Sequence, residues 1–105
     1  MHSLKRNDKM YAWLIYDISD NKNRNSVIKC AQKKGLYRVQ KSVFLGTINK
    51  NKFDELKIEC EEIIDQETDS VYLFPLCEKD FKAVVTIGQA FDEKLITDTV
   101  KALFF

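Results

Sequence analysis

Short apolar runs alternate with amphipathic stretches along this chain, and each run has the length of a strand or a helix. Residues 11–16 form a continuous apolar run that ends at Asp17, which is typical of a strand buried on both faces. Apolar residues then recur at helical spacing over about residues 23–34, and Gly35 is a good helix stop. The pattern therefore predicts a strand followed by a short helix with a basic outer face.

Two further strands and the clearest helix follow. Residues 36–40 and 42–48 are rich in β-branched and aromatic side chains, which predicts two strands around Lys41. Downstream, one apolar stripe at helical spacing is surrounded by acidic residues, which predicts an amphipathic helix. The stripe consists of Phe53, Leu56, Cys60, Ile63 and Ile64.

The last third of the chain predicts two more strands and a final helix. Residues 71–77 form a strand, and Pro75 places it at a sheet edge or ends it there. Residues 83–87, stopped by Gly88, form another short strand, and residues 92–103 are loosely periodic, as in a helix.

The order β-α-β-β-α-β predicts an α+β fold with one antiparallel sheet and both helices on one face, the ferredoxin-like arrangement. We expect one domain over residues 1–105, with a core of about 10–88 and a C-terminal extension, strand or tail, over 89–105.

The first strand is apolar on both sides, although two helices can cover only one sheet face. An open apolar face is unusual in a monomer, so the pattern favours sheet-to-sheet packing in a symmetric homodimer. The alternative is that the C-terminal extension folds over its own sheet.

Charge is unevenly distributed along the chain. Residues 1–50 hold 11 lysines and arginines against three acidic residues, whereas residues 51–105 hold six against 13. The basic half would attract phosphate backbones, unless the fold mixes the two halves. The chain shows no secretory signal or membrane-length apolar run, and its three cysteines have no metal-ligand spacing, so we expect a cytoplasmic protein with reduced core thiols and no membrane partner.

Asp17 is the strongest candidate for chemistry. A carboxylate at the end of an apolar central strand is partly desolvated, so it needs a cation, a metal or a backbone donor. The alternative is that Asp17 caps the turn or helix that follows.

Two sequence blocks carry a resemblance to a known family. YDISD at 16–20 is followed by Arg24 at the helix start, and GLYRVQKSVF occupies 35–44. Both blocks, at this separation, resemble the signature of the CRISPR-associated protein two family over roughly residues 10–88. Two positions depart from the pattern, because Ser26 stands where some members have a second basic residue and Leu45 where many have an acidic one.

The resemblance implies a ferredoxin-like homodimer of the spacer-acquisition machinery, which binds duplex DNA or RNA and works with a CRISPR integrase subunit. It also implies a metal-dependent endonuclease acting on RNA or double-stranded DNA, with weakly bound Mg²⁺ or Mn²⁺. Asp17 would be the catalytic metal ligand, paired with its copy across the dimer axis, and Ser42 would hold a water or a phosphate oxygen. The implied nucleic-acid contacts are Tyr16, Arg24, Arg38, Lys41 and Phe44, although the residue types of Tyr16 and Phe44 favour a core position.

Four other functions remain open at this point. The dimer could be an adaptor that binds duplex nucleic acid without chemistry, or a toxin-like ribonuclease of similar fold. An RNA-recognition module should display an aromatic strand signature that residues 42–46 lack. A regulatory ligand domain is the fourth, although no phosphate-cradling glycine loop occurs.

Overall fold

The computed structural model describes residues 10–92 and 94–104, so residues 1–9, Glu93 and Phe105 of the predicted domain lie outside the described residues. The elements are β1 (Met10–Asp17), α1 (Asn21–Lys33), β2 (Tyr37–Gln40), β3 (Val43–Ile48), α2 (Lys50–Ile63), β4 (Ser70–Cys77), α3 (Glu78–Lys82) and α4 (Asp98–Phe104).

The two main helices begin and end where the sequence provides caps. The Asp20 side chain accepts a hydrogen bond from the Asn23 amide at 2.8 Å and so caps α1, and Asn49 caps α2 in the same way. Gly35 has φ +90°, and the Leu36 amide donates back to the Ala31 carbonyl at 3.1 Å. This Schellman arrangement needs a residue with positive φ, which confirms the helix stop expected at Gly35.

The four strands form one antiparallel sheet in the order β2-β3-β1-β4. Strand β1 is central and pairs with β3 on one side and β4 on the other, which is the predicted ferredoxin-like arrangement. Strand β4, which contains Pro75, lies at the edge of the sheet, as its proline indicated. The central position of β1 places Asp17 in the middle of one end of the sheet.

The larger core lies between the sheet and the two main helices. Strands β1 and β3 contribute the side chains that alternate toward α1 and α2, because successive strand residues face opposite sides. The buried members of this cluster are Ala12, Leu14, Tyr16, Ile18, Val27, Ala31, Leu36, Phe44, Ile48, Leu56 and Cys60.

The second face of the sheet is half covered by the chain's own C-terminal extension. Val100 of α4 is buried with Val39 and Leu45 of the sheet, and the Asp92 amide donates to the Val39 carbonyl at 2.7 Å. The alternative of a self-covering extension therefore holds for the β2–β3 half. Among the described residues, Tyr72 and Phe74 of the β4 half remain exposed, and this half of the face is called the open half below.

Four details differ from the sequence predictions. Residues 84–87 are irregular rather than a strand and pair with none of the four described strands, although β2 and β4 each keep a free edge in the described sheet. The last helix begins at Asp98, not at residue 92, and α3 was not predicted. Cys77 is exposed, so it is not a core thiol, whereas Cys60 is buried.

Over residues 10–92 and 94–104, the helices are too short or too polar for any of them to cross a membrane.

Candidate nucleic-acid and metal site

A pocket of about 330 Å³ opens at the end of β1, where β1 meets the turn between β2 and β3. It gathers all but one of the residues that the sequence singled out, drawn from positions 16 to 42. Its lining consists of Tyr16, Asp17, Ile18, Arg24, Arg38, Lys41 and Ser42. The fold thus brings both sequence blocks to one place.

Asp17 is exposed at the end of β1, where it stands opposite Ser70 of β4. Within residues 10–92 and 94–104, its carboxylate has no hydrogen-bond or ion-pair partner. The cap of α1 is Asp20, so the alternative that Asp17 caps this helix does not hold. A central strand therefore ends in a carboxylate that is available to a cation.

Arg24 lies in the first turn of α1 and points back to the chain that leaves β1. Its Nη1 donates to the Ile18 carbonyl at 2.9 Å and to the Ser19 carbonyl at 3.4 Å, and its Nη2 donates to the Asn21 side chain. These bonds hold a positive charge beside the end of β1. An arginine has five N–H donors, so others remain for an anion such as phosphate.

The Lys41 carbonyl accepts three hydrogen bonds from two side chains. The Tyr16 hydroxyl donates to it at 2.6 Å, and Arg38 donates through Nε at 3.1 Å and Nη2 at 2.7 Å. The Tyr16 amide also donates to the Ser42 carbonyl at 3.1 Å. The turn that carries Lys41 and Ser42 is therefore tied to the end of β1.

The Tyr16 side chain is only 3% exposed. Burial raises its pKa above the ordinary value of 10.0, and the nearby charges of Arg38 and Arg24 act in the opposite direction without cancelling the effect. The hydroxyl consequently stays protonated at neutral pH and acts as a donor.

Phe44 has no exposed surface, which contradicts the direct nucleic-acid contact expected of it. It belongs to the helix-side core, because it alternates toward α1 and α2 like Leu14 opposite it. Its ring lies 6.4 Å from that of Tyr16, between centroids, at an interplanar angle of 34°. Phe44 thus supports Tyr16 from within the core.

The described part of the chain contains no cluster of three or more histidine, cysteine or acidic side chains arranged to hold a metal ion. Asp17 contributes one carboxylate, whereas Mg²⁺ prefers six oxygen ligands and readily keeps several waters. The exposed carboxylate suits such an ion as one ligand of a shared site, and a complete site needs oxygens from a second copy or from a phosphate.

Sequence reasoning missed the backbone acceptors that organise this pocket, the carbonyls of Ile18 and Lys41. No side-chain pattern signals a carbonyl, whereas the core position favoured for Tyr16 agrees with its burial. A larger groove of about 700 Å³ between α2 and β4 contains none of the predicted residues.

Comparisons with known proteins agree with the two sequence blocks. A family model described as CRISPR associated protein Cas2 matches residues 10–84. The CRISPR-associated endoribonuclease Cas2 1 of Archaeoglobus fulgidus is 32% identical over 75 residues, which cover 71% of this chain and 80% of the relative. The CRISPR-associated endoribonuclease Cas2 of Korarchaeum cryptofilum is 30% identical, covering 80% of this chain and 90% of the relative. A crystal structure of Streptococcus pyogenes Cas2 matches with a TM-score of 0.63 and 29% identity, over 74% of this chain and 99% of that one.

Proposed function

This chain belongs to the family of CRISPR-associated Cas2 proteins, and on that premise we propose that it is a homodimeric endonuclease of the CRISPR adaptation machinery, working in the cytoplasm on RNA or double-stranded DNA. The observation that carries the proposal is the Asp17 carboxylate, which has no partner among the described residues and lies beside three cationic side chains in one pocket. Relatives named endoribonucleases, such as those of Archaeoglobus fulgidus and Korarchaeum cryptofilum, support the reaction class.

The pocket gathers side chains suited to phosphodiester hydrolysis. Arg24, Arg38 and Lys41 supply positive charge for a phosphate group, and the Ser42 hydroxyl can orient a water or a phosphate oxygen. Asp17 is the residue that would hold Mg²⁺ or Mn²⁺. When bound, such an ion supplies electrostatic stabilisation at the phosphate and lowers the pKa of water.

Dimerisation completes the site in this proposal. Tyr72 and Phe74 of β4 are 57% and 45% exposed on the sheet face away from the helices, and their rings stack at 6.3 Å between centroids. Val85 and Ile87, in the irregular segment after α3, are 79% and 87% exposed. An apolar surface of this kind favours a second copy, and a two-fold axis near the open half would bring two Asp17 carboxylates together.

An adaptor that binds duplex nucleic acid without cutting it is the second candidate. The observation that favours it is the single carboxylate of the pocket, which is a sparse ligand set for a metal. In this role the dimer would present its basic side chains to the phosphate backbone and hold a duplex for the integrase subunit.

A cleavage and binding experiment separates the two candidates. End-labelled RNA and short duplex DNA are incubated with the wild type, Asp17→Ala, and Glu62→Ala, which removes an exposed carboxylate from α2. The nuclease predicts cleavage that needs Mg²⁺ or Mn²⁺, is lost in Asp17→Ala and is unchanged in Glu62→Ala.

Binding of duplex that weakens steeply with salt, without cleavage by any form, identifies the adaptor. Equal metal-dependent cleavage by wild type and Asp17→Ala contradicts the assignment of Asp17. If the wild type neither binds nor cleaves any of these substrates, the proposed function as a whole is refuted.

A further inference from the structure

The Lys41 carbonyl is a shared anchor at the pocket. It accepts the Tyr16 hydroxyl and two N–H groups of Arg38, at distances between 2.6 and 3.1 Å. One donor comes from the core side of central strand β1, and the other two come from edge strand β2. A single backbone oxygen thus joins three parts of the chain: β1, β2 and the turn at 41–42.

These bonds act on the two-residue turn at 41–42, which lies just beyond the pairing of Gln40 in β2 with Val43 in β3. The paired register of β1 and β3 ends at Ile15 and Val43, and beyond it the Tyr16 amide donates to the Ser42 carbonyl at 3.1 Å. The register of β2 on β3 shifts between Arg38 and Gln40, and such irregularities commonly redirect a side chain next to a functional site.

Tyr16 offers a ligand almost no contact surface, because it is 3% exposed and its hydroxyl donates to the Lys41 carbonyl. Phe44 packs beside it with no exposed surface. The effect of these two side chains on the pocket must therefore pass through the backbone that they hold.

We infer that Tyr16 and Arg38 are positioning residues, which fix the Lys41–Ser42 turn through the Lys41 carbonyl and so place the Lys41 and Ser42 side chains for the phosphate beside Asp17. The inference rests on the proposed nucleic-acid function and assigns roles within the same pocket. It differs from a plain phosphate contact by Arg38, in which only the charge of the side chain would matter.

Conservative variants distinguish position from charge. Tyr16→Phe removes one donor from the Lys41 carbonyl and leaves the ring and the net charge unchanged. Arg38→Lys keeps the positive charge but cannot make the forked pair of bonds. Tyr37→Phe is the matched control, because it removes a hydroxyl from β2 on the opposite sheet face.

Two measurements are made on each form, after circular dichroism confirms folding. Amide hydrogen exchange at position 16 reports how firmly the turn is held, because this amide donates to the Ser42 carbonyl. Titration of a labelled short duplex over a series of salt concentrations reports the affinity and the number of phosphate contacts.

We expect exchange at position 16 to be about two- to tenfold faster in Tyr16→Phe, which is the range for one neutral hydrogen bond, and faster still in Arg38→Lys. Duplex affinity should fall by a similar factor in both variants, while the slope of log affinity against log salt stays that of the wild type. The double variant should lose less than the product of the two single losses, because the bonds of both side chains share one acceptor.

Unchanged exchange in both variants would overturn the inference, since the turn would then be held without them. Full duplex affinity in Arg38→Lys, with faster exchange, would overturn the positioning role and leave Arg38 as a charge. If the wild type binds no duplex, the proposed function is refuted and the turn has no phosphate to position side chains for. The exchange data still show in that case whether the Lys41 carbonyl holds the turn.

Discussion

The exposed aromatic side chains on the open half of the second sheet face allow the affinity of a dimer to be estimated. Fully burying a large aromatic side chain contributes about 1.5–3 kcal/mol. Tyr72 and Phe74 keep about half of their surface exposed in one chain, so each has about 1 kcal/mol left to contribute. A symmetric dimer buries both side chains from both copies, so the four side chains contribute about 4 kcal/mol in total. Losing this contribution would raise the dissociation constant of the dimer roughly 1,000-fold.

Sedimentation equilibrium of the double variant Tyr72→Thr, Phe74→Thr measures this change, since threonine retains the β propensity of the strand. The control is Ile58→Thr, because Ile58 is 53% exposed on α2, in the other layer of the fold. The wild type and the control should form dimers of equal affinity. Equal affinity of the wild type and the double variant, or equal weakening in the control, would refute the proposal that this face pairs.

Three further predictions concern stability. Burial is the largest cause that raises the pKa of Cys60 from 9.0 to about 12, so the folded thiol keeps its proton longer than the unfolded one. Stability from this group is full below pH 9 and is lost as pH rises toward 12, by up to about 1.4 kcal/mol per pH unit. Between pH 8 and 11, the free energy of unfolding measured in urea should fall less steeply with pH in Cys60→Ala than in the wild type. An equal pH dependence of the two proteins would contradict the role given to Cys60. In Gly46→Ala the new Cβ would lie 3.2 Å from the Gly35 carbonyl oxygen and 3.3 Å from the Leu36 Cα. We therefore expect the free energy of unfolding in urea at pH 7 to fall by about 1–3 kcal/mol. A stability equal to that of the wild type would show that the backbone moves to make room. The Lys34 side chain is 12% exposed and pairs with Glu55 and Glu59 at 3.3 and 3.2 Å. Lys34→Met should lower the free energy of unfolding by about 1–3 kcal/mol in low salt. No loss would mean that the two ion pairs are fully screened by solvent.

The order of elements was predictable because local patterns and packing agree over residues 10–77. The apolar run at 11–16, the cap at Asp20 and the glycine at 35 each indicate the same local structure that the sheet and helices require. The family resemblance, which rests on the two blocks at 16–20 and 35–44, is confirmed by the match of the family model.

The C-terminal third was harder to predict, because its structure depends on partners rather than on local pattern. Residues 83–87 have the composition of a strand, but composition does not supply a partner strand, and they pair with neither edge strand of the described sheet, β2 or β4. The burial of Val100 against Leu45 depends on a contact between distant parts of the chain, which periodicity does not encode.

The members of the site could be predicted, but not all of their roles. Side-chain chemistry identified Asp17, and the family resemblance added Arg24 and Arg38, which the structure brings together in one pocket. The resemblance also implied that Phe44 contacts nucleic acid, whereas strand alternation buries that ring completely. A backbone carbonyl as the common acceptor for Tyr16 and Arg38 leaves no trace in the sequence.

Cross-linking at position 17 tests most directly whether two copies of Asp17 meet. The variant Asp17→Cys is made in a Cys77→Ser background, which removes the exposed native thiol, and mild oxidation is followed by non-reducing electrophoresis. A disulfide requires Cα atoms within about 7 Å. If the two copies of Asp17 meet across a dimer axis, we expect a disulfide-linked dimer that reductant reverses and that Cys77→Ser alone does not form. A protein that sediments as a dimer and yet gives no cross-link at position 17 would contradict it.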